Sequence, residues 1–375
     1  MALPTYHTTN YFDFGALQML APEARRLGIA RPLVETDPGV RAARLLDRVL
    51  DALGSKVAVT VYDQTPGNPT ERAVVAALML YQDAGCDGAI CLGGGSPMDP
   101  GKAVALLARF GGPLAQYDPL AGGRDKATDI APLIAIPTTS GTGSEVSIGF
   151  VIIMEDGRKL TFASPLFIPK VAICDPDLTL GLPRMMTAAT GMNAITHCIE
   201  AFLTPTINPP AEGVALDGLR RGWRHIDRAV ADGSDRQARW EMTMASAEGA
   251  LAFIKGLGAV HAMSHTAGRI EELRLHHGTL NALFLPAVLR FNANDCAEKY
   301  ERLREAMGLG PGADVADAVA AMNKRIGMPS GLAAMGVTAD HVPGIIDYAQ
   351  KDLAARSNPR RASANDYEAV VAETM

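Results

Sequence analysis

Several features that would assign a function at once are missing from this chain. Its cysteines are few, odd in number and without a CxxC pair: Cys86, Cys91, Cys174, Cys198 and Cys296. This pattern argues against a disulfide framework and favours reduced thiols. No apolar run reaches the roughly 18 residues needed to cross a bilayer, and the N-terminus has neither a secretory signal nor an Arg-rich transit pattern. We therefore expect a cytoplasmic protein without a membrane partner.

An excess of basic charge is also missing. The chain has 35 Lys and Arg against 41 Asp and Glu, a formal net charge of −6, and its basic residues are scattered. Because this leaves no electrostatic footprint for nucleic acid, we expect no nucleic-acid partner. The composition is that of a well-packed protein, 48% hydrophobic, and a length of 375 residues indicates two domains.

The first half of the chain alternates strand and helix patterns. Strand-like segments are RPLVETD, KVAVTVYD, DGAICLGGG and APLIAIPTTS, and helical patterns include GVRAARLLDRVLDALG (39–54) and NPTERAVVAALMLYQDAG. Strands that alternate with helices predict a parallel, doubly wound sheet. VSIGFVIIMEDGRKLTFASP then predicts a hairpin that turns at Glu155-Asp156-Gly157, and KVAICDPDLTLGLP predicts a last strand.

Helical periodicity takes over after about Pro183 and continues to the C-terminus. We place the boundary near residues 178–184, and we see no internal repeat and no low-complexity tract. The expected organisation is an α/β domain over 1–181 and an all-helical domain over 182–375.

Two polar loops follow predicted strands. GGGSPMDPGKA begins at Gly93, and PTTSGTGSE runs from Pro137 to Glu145. Glycines let backbone N–H groups approach a phosphate, and a helix that follows turns its positive dipole end to the anion. Two such loops at the carboxyl edge of one parallel sheet suit a dinucleotide. The alternatives are a glycine turn without a ligand and a Ser/Thr helix N-cap run before Glu145.

Asp37 ends the first predicted strand. A carboxylate at this point can accept hydrogen bonds from an adenosine ribose and would repel a 2′-phosphate, which favours NAD over NADP. The alternative is a solvated turn aspartate before Pro38-Gly39.

Polar side chains with helical spacing form a third group. In GMNAITHCIEAF, Asn193 and His197 stand four residues apart and therefore share a helix face. Four of the eight histidines follow within one later stretch: His261, His265, His276 and His277. Imidazoles from separate helices can converge on one metal ion, although a single helical histidine is more often an ordinary polar residue.

Six motifs, in this order, closely resemble the iron-containing (group III) alcohol dehydrogenase family: GGGSPMDPGKA, PTTSGTGSE, DPDLTLGLP, TAATGMNAITHCIEAF, GAVHAMSH and HHGTLNALFLP. The resemblance spans essentially the whole chain. It implies a dinucleotide-binding α/β domain with a parallel doubly wound sheet, an all-α C-terminal domain and a metal in the cleft between them, an architecture shared with dehydroquinate synthase-like proteins. It also implies hydride transfer between a nicotinamide cofactor, NAD, and a small-molecule alcohol or aldehyde. We expect a homodimer or higher homo-oligomer.

The resemblance implies a role for individual residues. The four ligands of Fe²⁺ or Zn²⁺ correspond to Asn193, His197, His261 and His277, the last because it directly precedes the glycine. His265 corresponds to the second, non-ligand histidine of HxxxH and is the candidate catalytic residue. Cofactor contacts correspond to Asp37, Asn68, Gly94, Gly95, Ser96, Thr138, Thr139, Thr142 and Lys159.

Asn193 departs from the family, in which the first metal ligand is an aspartate. An amide in place of a carboxylate removes one negative charge from the ligands, so metal retention should weaken. An imidazole such as His265 would then have to stabilise the charge on the substrate oxygen. Maleylacetate reductases, a related branch, are similar in having asparagine at this position and are thought to work without a metal.

Two other functions stay open at this point. One is a maleylacetate reductase-like enzyme or a hydroxy-acid dehydrogenase with little or no metal dependence, for which Arg269 is a candidate to bind a substrate carboxylate. The other is a nucleotide-binding protein that has lost catalysis. Intact histidines argue against that loss, because an inactive site has no physical reason to keep its imidazoles together.

Overall fold

The computed structural model describes residues 8–123 and 125–375, which form two compact units. The sheet unit contains residues 8–139 and Gly143–Thr179, and the helical unit contains Ser140–Thr142 and Leu180–Met375. The short segment Ser140–Thr142 therefore leaves the sheet unit in the middle of PTTSGTGSE.

The strands of the sheet unit form one parallel sheet and one hairpin. The strands are β1 (Thr9–Phe12), β2 (Pro32–Glu35), β3 (Thr60–Tyr62), β4 (Gly88–Gly93), β5 (Leu133–Pro137), β6 (Gly149–Ile153), β7 (Lys159–Ala163) and β8 (Val171–Cys174). Six of them pair in the order β1-β8-β5-β4-β2-β3, all parallel, while β6 and β7 pair antiparallel. The predicted parallel sheet and the predicted hairpin are both confirmed.

The helices of the sheet unit are α1 (Leu20–Arg26), α2 (Pro38–Ala42), α3 (Leu45–Leu53), α4 (Glu71–Asp83) and α5 (Gly95–Phe110). The single helix predicted over 39–54 is wrong. Arg44 has a left-handed backbone with φ of 61°, which separates α2 from α3. Strand β1 was not foreseen, because an edge strand whose first residues are exposed lacks the apolar alternation of a buried one.

Apolar side chains alternate between the two faces of the sheet. Ile90 and Leu92 of β4 pack in a cluster with residues of α1 and α3, whereas Ala89 and Cys91 face the other side with Met98 of α5. Because both faces are covered, the central strands are apolar along their whole length.

The strand order defines one topological switch point. Strand β3 pairs with one edge of β2, and the next strand in sequence, β4, pairs with the opposite edge of β2. The switch point lies between β2 and β4. In open parallel sheets, ligands bind at the carboxyl ends of the two strands that flank such a point. Here those strands are β2, which ends two residues before Asp37, and β4, which ends at the first glycine of GGGS.

The helical unit has no strand among its described residues. Its α-helices are α6 (Arg184–Leu203), α7 (Pro209–Ala231), α8 (Arg236–Ala252), α9 (Ala259–Ala267), α10 (His277–Asn292), α11 (Ala297–Met307), α12 (Val315–Ile326), α13 (Val342–Ala349) and α14 (Ala364–Thr374). Within the described parts of the chain, no helix has the length and apolarity needed to cross a membrane. Helices α6, α9 and α10 carry the polar residues singled out in the sequence.

Candidate active site

The two glycine-containing loops touch each other at the carboxyl edge of the sheet. The backbone N–H of Thr138 donates to the carbonyl of Gly93 at 2.9 Å. A Cβ on Gly94 would lie only 3.0 Å from Oγ1 of Thr139, so the close approach of the loops requires glycine there. Gly94 is also the N-cap residue of α5 and has no side chain with which to cap that helix. The positive end of α5 is therefore left to a ligand or to solvent.

Asp37 lies beside the first loop. Its Oδ1 accepts a hydrogen bond from the backbone N–H of Val40 at 2.9 Å and so caps α2. A Cβ on Gly93, whose φ is +146°, would lie 3.3 Å from Oδ2 of Asp37 and would overlap the ring of Pro97. Partial burial raises the pKa of Asp37, against the backbone hydrogen bonds that lower it. The helix cap occupies one carboxylate oxygen and leaves the other beside the loop.

The loop that contains Asn68 reaches the same edge. Oγ of Ser96 donates to the carbonyl of Gly67 at 2.8 Å, which links the start of α5 to the segment between β3 and α4. Asn68 is the next residue along this segment and is partly buried. Seven of the nine predicted cofactor residues, all except Thr142 and Lys159, thus lie around the switch point themselves or through a neighbour in sequence.

Buried charges of α5 hold the segment that follows the second loop. Asp99 accepts a hydrogen bond from Oγ of Ser144 at 2.8 Å, and Nζ of Lys102 donates to Oγ of Ser147 at 3.1 Å. Burial raises the pKa of Asp99, while Lys102 and, more weakly, Lys159 oppose that rise. The ammonium of Lys159, at the start of β7, is therefore within electrostatic reach of α5.

One sequence interpretation of the second loop needs correction. No helix follows Thr138 to Glu145 in this described segment, because the next element is β6, so the helix N-cap interpretation is wrong. Thr142 lies in the segment Ser140–Thr142, which belongs to the helical unit.

In the helical unit, polar side chains from three helices meet in a buried cluster. Asn193 and His197 lie on α6 and are 2% and 4% exposed, and His261 lies on α9 and is 1% exposed. His277 is the first residue of α10. A Cβ on the next residue, Gly278, would overlap the carbonyl oxygen of Ala189 on α6, so glycine lets α10 begin against α6.

The predicted ligands point toward one atom, the amide nitrogen of Asn281. This Nδ2 donates to Oδ1 of Asn193 at 2.6 Å and lies 3.2 Å from Nε2 of His261 and 3.2 Å from Nε2 of His277. The ring of His197 stacks on His261 with centroids 4.7 Å apart. The structure thus brings three predicted ligand atoms to a common point and stacks the fourth residue against them.

The hydrogen-bond partners of two imidazoles define their protonation. Nδ1 of His261 lies 2.6 Å from a carboxylate oxygen of Glu200, to which it must donate, so its Nε2 carries the lone pair. The hydroxyl of Ser264 donates to the carbonyl of His261, so it accepts from Nδ1 of His277 at 3.3 Å. Nε2 of His277 is then also a lone pair. Both rings present to Asn281 the atom that would bind a metal.

Burial favours the neutral form of two imidazoles in this cluster. It lowers the pKa of His197 well below the usual range, with the nearby His261 as the second cause. Burial also lowers the pKa of His261, against the opposing effect of Glu200. Nδ1 of His197 has no hydrogen-bond partner among the described residues. A neutral imidazole with an unused nitrogen is a suitable metal donor.

His265 and His276 have different surroundings. Nδ1 of His265 lies 3.0 Å from Oδ2 of Asp352, and its ring stacks on His277 with centroids 5.3 Å apart. His276 caps α10 instead, because its Nδ1 accepts from the backbone N–H of Thr279 at 3.4 Å. The geometry therefore favours His277 over His276 as a member of the cluster.

Sequence reasoning missed three residues of this site: Glu200, Asn281 and Asp352. Glu200 stands three residues after His197, and Asn281 stands four after His277, so helical spacing could have indicated both. Asp352 is 87 residues from His265 and had no such signal. In the described part of the chain, no three His, Cys, Asp or Glu side chains are arranged to hold a metal ion. Asn281 takes the point where the imidazoles converge.

A sheet edge suited to a dinucleotide and a buried cluster of imidazoles are consistent with a nicotinamide-dependent dehydrogenase. Residues 7–176 match the iron-containing alcohol dehydrogenase model, and residues 187–375 match the model for the C-terminal part of the Fe-containing alcohol dehydrogenase family. The chain belongs to the iron-containing alcohol dehydrogenase family.

Similar proteins agree with this assignment. The chain is 52% identical over 383 aligned residues to 4-hydroxybutyrate dehydrogenase from Cupriavidus necator, with 100% of both proteins covered. The crystal structure of a 1,3-propanediol oxidoreductase matches with a TM-score of 0.94, 32% identity and 100% of both chains covered. Sulfoacetaldehyde reductase from Bifidobacterium kashiwanohense in complex with NAD+ matches with a TM-score of 0.89 and 27% identity, covering 100% of this chain and 98% of the other. The protein is an NAD-dependent oxidoreductase that interconverts an alcohol with an aldehyde or ketone.

Proposed function

We propose that NAD(H) binds the sheet unit at the switch point between β2 and β4. The pyrophosphate contacts the start of α5, the adenosine ribose contacts Asp37, and the nicotinamide end contacts the loop after β5. The proposed contacts are Asp37, Asn68, Gly94, Gly95, Ser96, Thr138, Thr139, Thr142 and Lys159. The uncapped start of α5 and the direct contact between the two loops support this arrangement.

We further propose that the cluster in the helical unit holds a divalent metal, Fe²⁺ or Zn²⁺, through Asn193, His197, His261 and His277. The donor chemistry fits, because Glu200 and Ser264 orient the lone pairs of two imidazoles toward the same point as Oδ1 of Asn193. A bound metal would polarise the oxygen of the alcohol or aldehyde. The convergence of these donors is the observation that carries the proposal.

We propose that His265 exchanges the proton of the substrate hydroxyl. Its Nδ1–H donates to Asp352, which leaves a lone pair on Nε2. Nε2 can accept the hydroxyl proton during alcohol oxidation and return it during aldehyde reduction. Asp352 acts through His265, because it holds the ring in the required tautomer.

Asn193 makes the metal site weaker than a carboxylate-containing one. Its amide oxygen is neutral and already accepts a hydrogen bond from Asn281 at 2.6 Å. The purified protein should therefore contain less than one metal ion per chain, easily removed by a chelator. Asn193→Asp adds the missing charge and should raise metal content, measured by plasma emission on both proteins purified side by side.

The matched control for this experiment is Asn294→Asp, which adds the same charge at an exposed position after α10. Full metal occupancy in the unaltered protein, with no gain from aspartate at position 193, would show that the amide is an adequate ligand. A gain of equal size in both variants would mean that overall charge, and not the ligand position, controls metal content.

A short hydroxy acid is the proposed substrate class. The observation that favours it is the 52% identity to a protein named 4-hydroxybutyrate dehydrogenase over the full length of both chains. Arg269 is the proposed group for the carboxylate. It follows α9 four residues after His265, and its guanidinium stacks on the ring of Tyr348 at 3.6 Å from the centroid. Such stacking orients the cation without removing its charge.

The test is an NAD(H)-linked activity screen that pairs each hydroxy acid with the alcohol of equal length that lacks the carboxylate. 4-Hydroxybutyrate should give a higher kcat/KM than butan-1-ol, and Arg269→Gln should remove most of that difference by raising KM. Equal kcat/KM for both compounds in the unaltered protein would reject the hydroxy-acid assignment and leave an enzyme for simple alcohols.

A cytoplasmic location and a homo-oligomer are also part of the proposal. The five unpaired cysteines support the cytoplasmic location.

A further inference from the structure

The amide of Asn281 occupies the point at which the proposed metal ligands converge. Its Nδ2 is within 3.2 Å of Nε2 of His261 and of His277, and 2.6 Å from Oδ1 of Asn193. All three of these atoms are hydrogen-bond acceptors, and none of them carries a proton. An NH₂ group that faces three lone pairs makes the same kind of contact as a small cation would.

The other end of this amide is poorly satisfied. Asn281 is fully buried, and its Oδ1 has no hydrogen-bond partner among the described residues. A buried amide that serves only as a structural link usually satisfies its oxygen as well. Here the side chain is held through its nitrogen alone, and two N–H groups must serve three acceptors.

We propose that Asn281 is an internal competitor for the metal: its amide closes the site in the metal-free state and must withdraw before a cation can bind. This inference rests on the proposed function, because it takes Asn193, His261 and His277 as the ligands. It adds a second cause of weak metal binding that is independent of the charge missing at position 193. The two N–H groups of the amide also give these three buried acceptors a shared donor in the absence of the metal, which stabilises the metal-free protein.

The competition predicts the effect of removing the amide. In Asn281→Ala, a cation no longer displaces these hydrogen bonds, so the dissociation constant for Zn²⁺ should fall roughly tenfold, the equivalent of about one net hydrogen bond. The measurement is a titration of the NAD-free, metal-stripped protein against a chromophoric chelator. The absorption spectrum of the Co²⁺-loaded protein should keep the same shape, because the ligands themselves are unchanged.

Two further variants are measured beside Asn281→Ala. Asn323→Ala is the control, because Asn323 on α12 is also a buried asparagine whose Oδ1 has no hydrogen-bond partner within the described parts of the chain. Its removal should leave Zn²⁺ affinity unaltered. Asn281→Ser covers the case in which the alanine variant does not fold. Its shorter side chain should also tighten Zn²⁺ binding. In the unaltered protein, the NMR signals of the Asn281 side-chain amide should move when Zn²⁺ is added.

The outcomes separate this inference from the proposed function. Unchanged or weaker Zn²⁺ binding in both Asn281 variants, with measurable binding in the unaltered protein, would overturn the competition alone and make Asn281 a supporting residue of the site. No Zn²⁺ binding in any protein, Asn193→Asp included, would overturn the ligand assignment and the competition together. Tighter binding in the Asn281 variants but not in Asn323→Ala supports both.

Discussion

Replacing Glu200 by glutamine should weaken both the helical unit and the metal site. The carboxylate of Glu200 accepts hydrogen bonds from the backbone N–H of Val260 at 2.8 Å, from the backbone N–H of His261 at 3.4 Å and from Nδ1 of His261 at 2.6 Å. The N-cap residue Gly258 has no side chain to cap α9, so Glu200 from α6 provides this cap together with Asn358, whose Oδ1 accepts from the backbone N–H of Ala259 at 3.1 Å. One buried carboxylate thus holds both the start of a helix and the tautomer of a ligand.

The magnitude follows from these contacts. Glutamine keeps only one acceptor oxygen, so its NH₂ group faces either the backbone N–H of Val260 or the two N–H groups of His261. The loss of a hydrogen bond to a charged group is about 1.5–3 kcal/mol, and the loss of negative charge at a helix N-terminus adds about 0.3–1 kcal/mol. We expect the free energy of unfolding to fall by about 3 kcal/mol. When the NH₂ group faces His261, the ring avoids a clash of donors by placing its proton on Nε2, which removes the lone pair that faces Asn281.

The assay is urea unfolding followed by tryptophan fluorescence. Both tryptophans of the chain, Trp223 and Trp240, lie in the helical unit, on α7 and α8, so their emission reports this unit. The matched control is Glu272→Gln, whose side chain is 68% exposed. Zn²⁺ affinity is measured on the same samples and should fall. A loss of stability below 1 kcal/mol together with unaltered Zn²⁺ affinity would refute the reasoning.

Three further predictions concern the sheet unit. Asp37→Gly should relax the preference for NAD over NADP, because the repulsion of a 2′-phosphate is removed. If the unaltered protein had the same kcat/KM with NADP⁺ as with NAD⁺, this prediction would be wrong. Gly95→Val should weaken NADH binding at least tenfold in a fluorescence titration, because a branched side chain then lies where backbone N–H groups would contact the pyrophosphate. Unchanged NADH affinity would rule out the proposed pyrophosphate site at the start of α5. Burial raises the pKa of Glu145 to about 7, and Lys102 opposes this only in part. The folded state therefore holds a proton that the unfolded state loses near pH 4.5, and stability should fall as the pH rises from about 4.5 to 7. Glu145→Gln should remove this fall and stabilise the protein above pH 7 by up to ~3 kcal/mol in calorimetry; parallel pH curves for the two proteins would be the contrary result.

Much of the fold follows from local patterns. Strand and helix periodicities alternate along the first half of the chain, and a parallel doubly wound sheet is the arrangement that buries such elements. The turn at Gly157 and the glycines after β4 are also local signals, since a positive φ or a close backbone approach favours glycine at those positions. The break at Arg44 had no such signal, because a left-handed arginine leaves the apolar spacing of both flanking helices intact.

The candidate site also has a part that local sequence patterns determine and a part that they do not. Helical spacing determines by itself that Asn193 and His197 share one face of α6, and that His261 and His265 share one face of α9. Which residues hydrogen-bond to these side chains is decided only by the packing of helices that are far apart in sequence. Glu200 meets His261 across 61 positions, and Asn281 meets Asn193 across 88.

The sequence therefore indicates which side chains can donate to a metal, whereas the tertiary structure decides which tautomer each histidine adopts and which group lies among them. A histidine in a sequence has two equivalent possibilities for its proton, and only a partner such as Glu200 or Asp352 selects one of them. An asparagine in a sequence has no preferred target, and only the packing of α10 against α6 puts the amide of Asn281 among three lone pairs. The tautomers and the occupant of the site depend on contacts between distant segments, which no local pattern encodes.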